Sequence, residues 1–359
     1  MTILGTRPEV IRLSLICREL DKFSDHMVVH TGQNYTHNLN SLFYKEMKIR
    51  GPDIRLNINA HTFAHQIGEM IPQIFDIVHE EKPDRILILG DTNTALAAAI
   101  VSSRLGIPLY HMEAGNRCFD DKVPEEINRR LIDHSATVSL PYTHNSKENL
   151  LREGVDHRNI FVVGNPINEV LGFYKQEIRD SLALDKFKVN AGEYLLATVH
   201  RAENVDDNER LKNLMEGLIS AGKRFGLPVL FSLHPRTDDK LQQSGMGLDT
   251  DVIMPFQSLG FFDFVNLEQN AKCVITDSGT VQEECCILGV PSITVRDTTE
   301  RPETLECGSN ILSGCEPELL LKALDVSMNF GNRWTPPKEY LEEFVSNTVL
   351  RLLVGYSHS

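Results

Sequence analysis

The chain has 359 residues, 41% of them hydrophobic and 24% charged, and carries a net charge of -14. That length exceeds what one hydrophobic core usually fills, so two domains are expected. The acidic balance excludes a phosphate-backbone partner such as nucleic acid, and a phosphate-bearing small molecule would need Arg or Lys clustered locally against the field.

The seven cysteines form no CxxC pair and no zinc spacing, which reads as free thiols in a reducing compartment. No apolar run approaches the ~18 residues of a membrane span. The opening MTILGTRPEV lacks the charged lead and long apolar core of a signal peptide. The expected location is cytoplasmic. The first strand begins almost at once, so native residues can precede Met1.

In chain order, short apolar runs fall at 1–4, 27–31, 85–90, 108–112, 136–140 and 161–164, with helical patterns such as IRLSLICREL and TALAAAIVSSRL between them. A second series follows at 194–199, 228–233, 251–254, 272–276 and 291–295. Continuous apolar strands alternating with amphipathic helices predict parallel sheets covered on both faces. The polar passage 165–193 divides the series. The expected organisation is α/β throughout: a Rossmann-like domain over 1–165, a second over 166–336, and a closing helix over 337–359 that packs back on the first. In such sheets ligands bind beyond the carboxyl ends of the strands, so the residues just after each strand carry the argument.

After the first strand come Gly5, Thr6, Arg7, Pro8 and Glu9, a turn into a helix whose N-terminus attracts anions or is simply well capped. After 85–90 comes Asp91, either an N-cap or a site carboxylate. After 108–112 comes Glu113 followed by Ala114 and Gly115, a poor packing choice and a better site residue. The run Pro124–Arg130 opens a helix, and its Glu125/Arg129 and Glu126/Arg130 spacing fits surface pairing. In the second half His200 and His234 each follow a strand. Asp277, Ser278, Gly279 and Thr280 follow another and open a helix, an anion cradle. Arg301 lies in the turn after the last run, and Cys285 and Cys286 read as core. Carboxylates dominate the first half and phosphate-friendly groups the second.

The ordered set GTRPE, GDTNTALAAA, HMEAGNR…PEEINRR, TVHRAEN, LHP, TDSGTVQEE and RDTTERPE resembles the non-hydrolysing UDP-N-acetylglucosamine 2-epimerase family over nearly the whole chain. The resemblance implies a glycosyltransferase B-like fold of two Rossmann-like domains with the active site in the cleft between them. It implies neither metal nor nicotinamide, a UDP-sugar as partner, and a homodimer. It implies inversion at sugar carbon 2 by anti elimination of UDP and re-addition through a 2-acetamidoglycal, for surface polysaccharide synthesis. Carried over residue by residue, Asp91, Glu113, Glu125 and His200 match the catalytic set. Arg7 and Arg12 match the basic pair near the diphosphate, with Arg129 added to the binding set. His234, Ser278, Gly279, Thr280, Glu284 and Arg301 match nucleotide and diphosphate contacts. Phe264 matches the aromatic against uracil, with Phe261 or Phe262 as alternatives.

The chain also departs from the pattern. Arg12 stands where the family usually has Lys, and Thr280 where it has Gly. Gln33-Asn34-Tyr35-Thr36 and Ala60-His61 replace the effector-binding residues of members activated by a second UDP-N-acetylglucosamine, so obligatory activation is not expected. The segment around Asn116, Cys118 and Phe119 resembles the branch that epimerises UDP-2-acetamido-2,6-dideoxy-L-talose to UDP-N-acetyl-L-fucosamine. It competes with the commoner N-acetylglucosamine/N-acetylmannosamine pair. A glycosyltransferase of the same fold and a hydrolysing 2-epimerase are the alternatives.

Overall fold

The computed structural model describes residues 1–32, 43–60, 62–257 and 259–356. The expected loss of the effector site concerns Gln33, Asn34, Tyr35, Thr36 and His61, which lie outside the described residues. Strands β1 (Thr2–Leu4), β2 (Val28–His30), β3 (Ile54–Arg55), β4 (Ile86–Leu89), β5 (Leu109–Met112) and β6 (Val138–Leu140) form one sheet, ordered β3-β2-β1-β4-β5-β6. All its pairs are parallel. This is the order of a dinucleotide-type doubly wound fold, and it reverses between β1 and β4.

Helices cover both faces of that sheet: α1 (Arg7–Phe23), α2 (Phe63–Glu81), α3 (Asn93–Leu105), α4 (Pro124–Ser135), α5 (His144–Arg152) and α6 (Pro166–Phe173). Residues Ile86 to Leu89 are therefore all buried, which is why the run reads as continuously apolar. Ala95, Ala97, Ala98 and Ala99 are fully buried, and their small side chains let α3 lie close to the sheet between α2 and α4.

The second unit repeats the plan. Strands β7 (Leu195–Val199), β8 (Val229–Leu233), β9 (Ile253–Phe256), β10 (Cys273–Thr276), β11 (Ser292–Thr294) and β12 (Asn310–Leu312) run β12-β11-β10-β7-β8-β9. Here the order reverses between β7 and β10. The helices are α7 (Lys175–Arg179), α8 (Ala183–Phe187), α9 (Ala202–Val205), α10 (Asn208–Phe225), α11 (Pro235–Ser244), α12 (Phe261–Gln269), α13 (Gly279–Leu288), α14 (Pro302–Glu306) and α15 (Pro317–Phe330).

The first unit comprises Met1–Phe173 and Lys338–Ser359, and the second Tyr174–Pro337. The chain leaves the first unit after Phe173 rather than at residue 165, because α6 packs on α1 and on the last helix, α16 (Val345–Gly355). Val345, Val349 and Leu353 of α16 complete a core cluster with Leu13, Ile16 and Tyr110.

Two strand expectations change, and two edge strands come in addition. The apolar run 161–164 forms no strand. Ile160 makes one isolated bridge to Ser139, and Phe161 and Val163 donate to the carbonyls of Ser139 and Pro141 without building a ladder. β3 and β12 lie at sheet edges and are two and three residues long, too short to show a period. The expected strand 251–254 shifts to β9 and includes Pro255, which an edge strand tolerates because one row of its amides needs no partner. Among the described residues no helix is long and apolar enough to cross a membrane.

Candidate active site

In the first unit three post-strand turns carry the polar groups. After β1, Glu9 on the first turn of α1 reaches back. Its Oε2 accepts the amides of Gly5 and Thr6 at 3.0 and 2.6 Å, and the Thr6 hydroxyl at 2.7 Å. Its Oε1 accepts the Thr92 hydroxyl at 3.0 Å. Burial pushes the Glu9 carboxyl up to about 7 against these hydrogen bonds. The Arg7 guanidinium lies 5.0 Å over the Phe43 ring.

After β4, Gly90 turns the chain at φ +76°. Thr92, not Asp91, caps α3, accepting the Ala95 amide at 3.1 Å. Asp91 is thereby available to Arg129, whose guanidinium lies 2.7 Å from Oδ2, while Asn128 donates to the Asp91 carbonyl at 2.9 Å. α4 is thus tied to the end of β4.

After β5, Glu113 has φ +67°. A non-glycine residue held there is strained and marks sites whose surroundings over-determine the backbone. Its Oε2 lies 3.5 Å from the fully buried Arg12. The next turn needs Gly115, because a Cβ there would lie 2.1 Å from the Ser146 carbonyl oxygen. The Gly115 amide donates to Asp133, which also pairs with His111 and Arg117 at 2.8 Å each. Burial opposes the charge on Asp133, but His111 and Arg117 outweigh it and hold the carboxyl below its usual range. Arg117 continues to Glu153 at 2.6 Å, so the loop carrying Glu113 is held on a buried ionic network.

The acid-dense stretch 113–126 therefore divides by role. Glu126 is fully buried and accepts the amides of Cys118 and Phe119 at 3.0 and 3.2 Å, with Arg129 at 2.8 Å. Burial opposes its charge, yet these partners lower its pKa. Glu125, one residue earlier, is half-buried on the first turn of α4. The expected 126/130 spacing is present at 3.4 Å, and Arg129 pairs with Asp91 and Glu126.

In the second unit, Asp277 after β10 is fully buried. It accepts the amides of His200 and Arg201 at 2.9 and 2.8 Å and the Asn204 side chain at 3.2 Å. His200 Nδ1 lies 3.2 Å from Asp277 Oδ1. Burial would raise this carboxyl, but His200 and Arg201 hold it down at about 2. The contact favours the Nδ1–H tautomer and leaves Nε2 as the other, proton-accepting nitrogen. The His234 ring centroid lies 5.6 Å from that of His200, so the two post-strand histidines are brought together. His234 also caps α11, accepting the Arg236 amide at 3.2 Å.

Ser278 caps α13, and its hydroxyl lies 3.1 Å from that of Thr280. A Cβ at Gly279 would sit 2.4 Å from Glu300 Oε1, so a larger residue there would have to displace that carboxylate. Arg301 is buried and pairs with Glu283 at 2.5 Å, while Arg296 pairs with Glu300 at 2.9 Å. Glu284 neighbours the fully buried Glu268, whose carboxyl is pushed far up by burial and by Glu284. Of the three phenylalanines that open α12, Phe261 and Phe262 are buried and Phe264 is half-buried, leaving Phe264 with a face to offer. The motifs GTRPE and TDSGTVQEE contain Glu9 and Asp277 without marking either as a site residue. Their signal in the sequence was position alone: a carboxylate beside a strand end that also fits a helix cap.

A family model described as UDP-N-acetylglucosamine 2-epimerase matches residues 18–353. The chain is 43% identical over 348 residues to the UDP-N-acetylglucosamine 2-epimerase of Methanocaldococcus jannaschii, covering 93% of each. The crystal structure of the enzyme of that name from that organism, in complex with UDP-GlcNAc and UDP, superposes with a TM-score of 0.93 at 41% identity over 98% of each chain. The UDP-2,3-diacetamido-2,3-dideoxy-D-glucuronate 2-epimerase of Pseudomonas aeruginosa is 35% identical, covering 91% of this chain and 92% of that protein.

Proposed function

Because the chain belongs to the UDP-N-acetylglucosamine 2-epimerase family, we propose that it inverts carbon 2 of a UDP-N-acetylhexosamine without hydrolysing it. A carboxylate removes the carbon-2 proton as UDP departs anti to it, giving a 2-acetamidoglycal. UDP then adds back as a proton returns from the opposite face. Asp91, Glu113 and Glu125 supply the proton-transfer groups, and His200 assists at the leaving group. Arg7, Arg12 and Arg129 balance charge in the first unit. His234, Ser278, Gly279, Thr280, Glu284 and Arg301 take the nucleotide and its diphosphate, and Phe264 takes the uracil. The carbon-2 proton is a weak acid and needs a base kept from water, while the departing diphosphate needs cations and helix N-termini.

The observation that carries this reading is positional. Asp91 follows β4, Glu113 follows β5, His200 follows β7 and Ser278 follows β10, each at the carboxyl end of its strand. A glycosyltransferase would have little use for this set together.

The sugar we favour is UDP-N-acetylglucosamine and its manno epimer, as in the names of the most similar relatives. UDP-2-acetamido-2,6-dideoxy-L-talose is the second reading, on the Asn116–Cys118–Phe119 departure. Either product would supply surface polysaccharide synthesis. A homodimer is favoured by Phe75, Ile100, Ile127 and Leu131, apolar and exposed on the mutually packed helices α2, α3 and α4. Incubation with each UDP-sugar in heavy water, followed by NMR, tests the reaction. Deuterium at carbon 2 of intact UDP-sugar is expected; free sugar, transfer or no exchange would overturn it.

A further inference from the structure

The proposed chemistry leaves one buried carboxylate at the first switch point unused. Glu9 accepts four donors from two loops. Gly5 and Thr6 leave β1, and Thr92 follows β4. β1 and β4 are the neighbouring strands between which the sheet order reverses. Arg7 is next to Thr6 in the chain, and Asp91 is next to Thr92.

We propose that Glu9 is a positioning residue: by gripping both post-strand loops it fixes Arg7 and Asp91 relative to each other for the reaction proposed above, on which this inference rests. A helix cap alone does not require this arrangement. A capping glutamate satisfies the amide of the cap residue from the surface. Glu9 is instead fully buried and reaches Thr92, 83 positions away. Burying a carboxylate is costly, so a cap with no further task would be better served outside. The groups facing it are the Gly5 and Thr6 amides and the Thr6 and Thr92 hydroxyls, and Tyr44 is the titratable side chain that feels its charge. The Oε2 side takes three donors and the Oε1 side only the Thr92 hydroxyl, which can accept as well as donate, so an amide can still fit here and only removal of the side chain breaks every bond between the two loops.

The test compares wild type with Glu9→Ala, Thr92→Val and Thr92→Ser, measuring kcat and KM for epimerisation and the Kd of UDP. Glu9→Ala is expected to lose about a hundredfold in kcat, the scale of a displacement of about 1 Å. Thr92→Val should lose about tenfold, since it removes the bond to Glu9 together with the cap on the Ala95 amide, and Thr92→Ser, which restores both, should recover most of that loss. UDP affinity should change by less than about threefold, because its main contacts lie in the other unit. Should Glu9→Ala fail to fold, the Thr92 pair decides alone. A kcat within about twofold of wild type in Glu9→Ala or Thr92→Val, or a Thr92→Ser as slow as Thr92→Val, would overturn the inference and leave the epimerase reading standing. A wild-type protein that neither exchanges the carbon-2 hydrogen nor epimerises removes both.

Discussion

Glu9 in the first unit and Asp277 in the second occupy matching places. Each accepts the amides of two residues that follow the central strand of its sheet, Gly5 and Thr6 after β1, His200 and Arg201 after β7. Each also joins the two loops flanking the reversal of strand order, and each is fully buried. They differ in the company they keep. Glu9 receives amides and hydroxyls and is pushed up to about 7; Asp277 also faces His200 and Arg201 and is held at about 2. Equal burial gives opposite shifts because only one of the two is paid in positive charge. Two other buried carboxylates of the second unit are treated in the same way, with Arg301 on Glu283 and Arg296 on Glu300, whereas Glu268 behaves like Glu9 and is pushed up by burial and by Glu284.

The hardest way to break this comparison is to remove one of those cations. Arg301→Ala should cost about 3–5 kcal/mol of stability, because the buried Glu283 loses its guanidinium. UDP affinity should fall by about 1.5–3 kcal/mol as well. Urea unfolding and calorimetry measure the two. A loss of stability under about 1 kcal/mol would mean that Glu283 is held chiefly by other groups.

A pH series sharpens the comparison, and the two signs are opposite. Glu9 has a folded pKa of about 7 against 4.5 unfolded, so the folded state binds the extra proton and stability falls as pH rises through that interval. The full effect is about 3 kcal/mol and should vanish in Glu9→Gln. Asp277 has a folded pKa of about 2 against 3.8, so its contribution is present above pH 3.8 and is lost as pH falls towards 2. That term is about 2 kcal/mol. Stability curves of Glu9→Gln and wild type that run parallel between pH 5 and 8 would refute the first assignment.

The smallest expected effects fall on turnover. His200→Ala and Glu113→Gln should each fold and lose at least about a hundredfold, the scale of a lost acid–base group. Either variant turning over at a near-normal rate would take its residue out of the mechanism.

How much of this could be read in advance depended on burial geometry. The runs 85–90 and 194–199 announced themselves because sheets covered on both faces demand unbroken apolar strands. β3 and β12 did not, because edge strands of two or three residues carry no period, and 161–164 misled because an apolar segment can lie beside a sheet without joining its ladder. The candidate positions follow from the rule that ligands gather at the carboxyl ends of strands. Asp91 remained divided between cap and site until Thr92 proved to be the cap. The clamp made by Glu9 was not legible, since its decisive partner lies 83 residues downstream. The clamp made by Asp277 was hidden for the same reason, with His200 77 residues upstream.

The second unit is an insertion between α6 and the final helix of the first. A ribosome therefore completes Tyr174–Pro337 before it releases the segment that finishes the unit begun earlier. Until Val345, Val349 and Leu353 emerge, Leu13 and Ile16 on α1 lack part of their cover. The nascent chain thus passes through a stage with a finished second unit and an open first one, the kind of exposed apolar surface that chaperones bind.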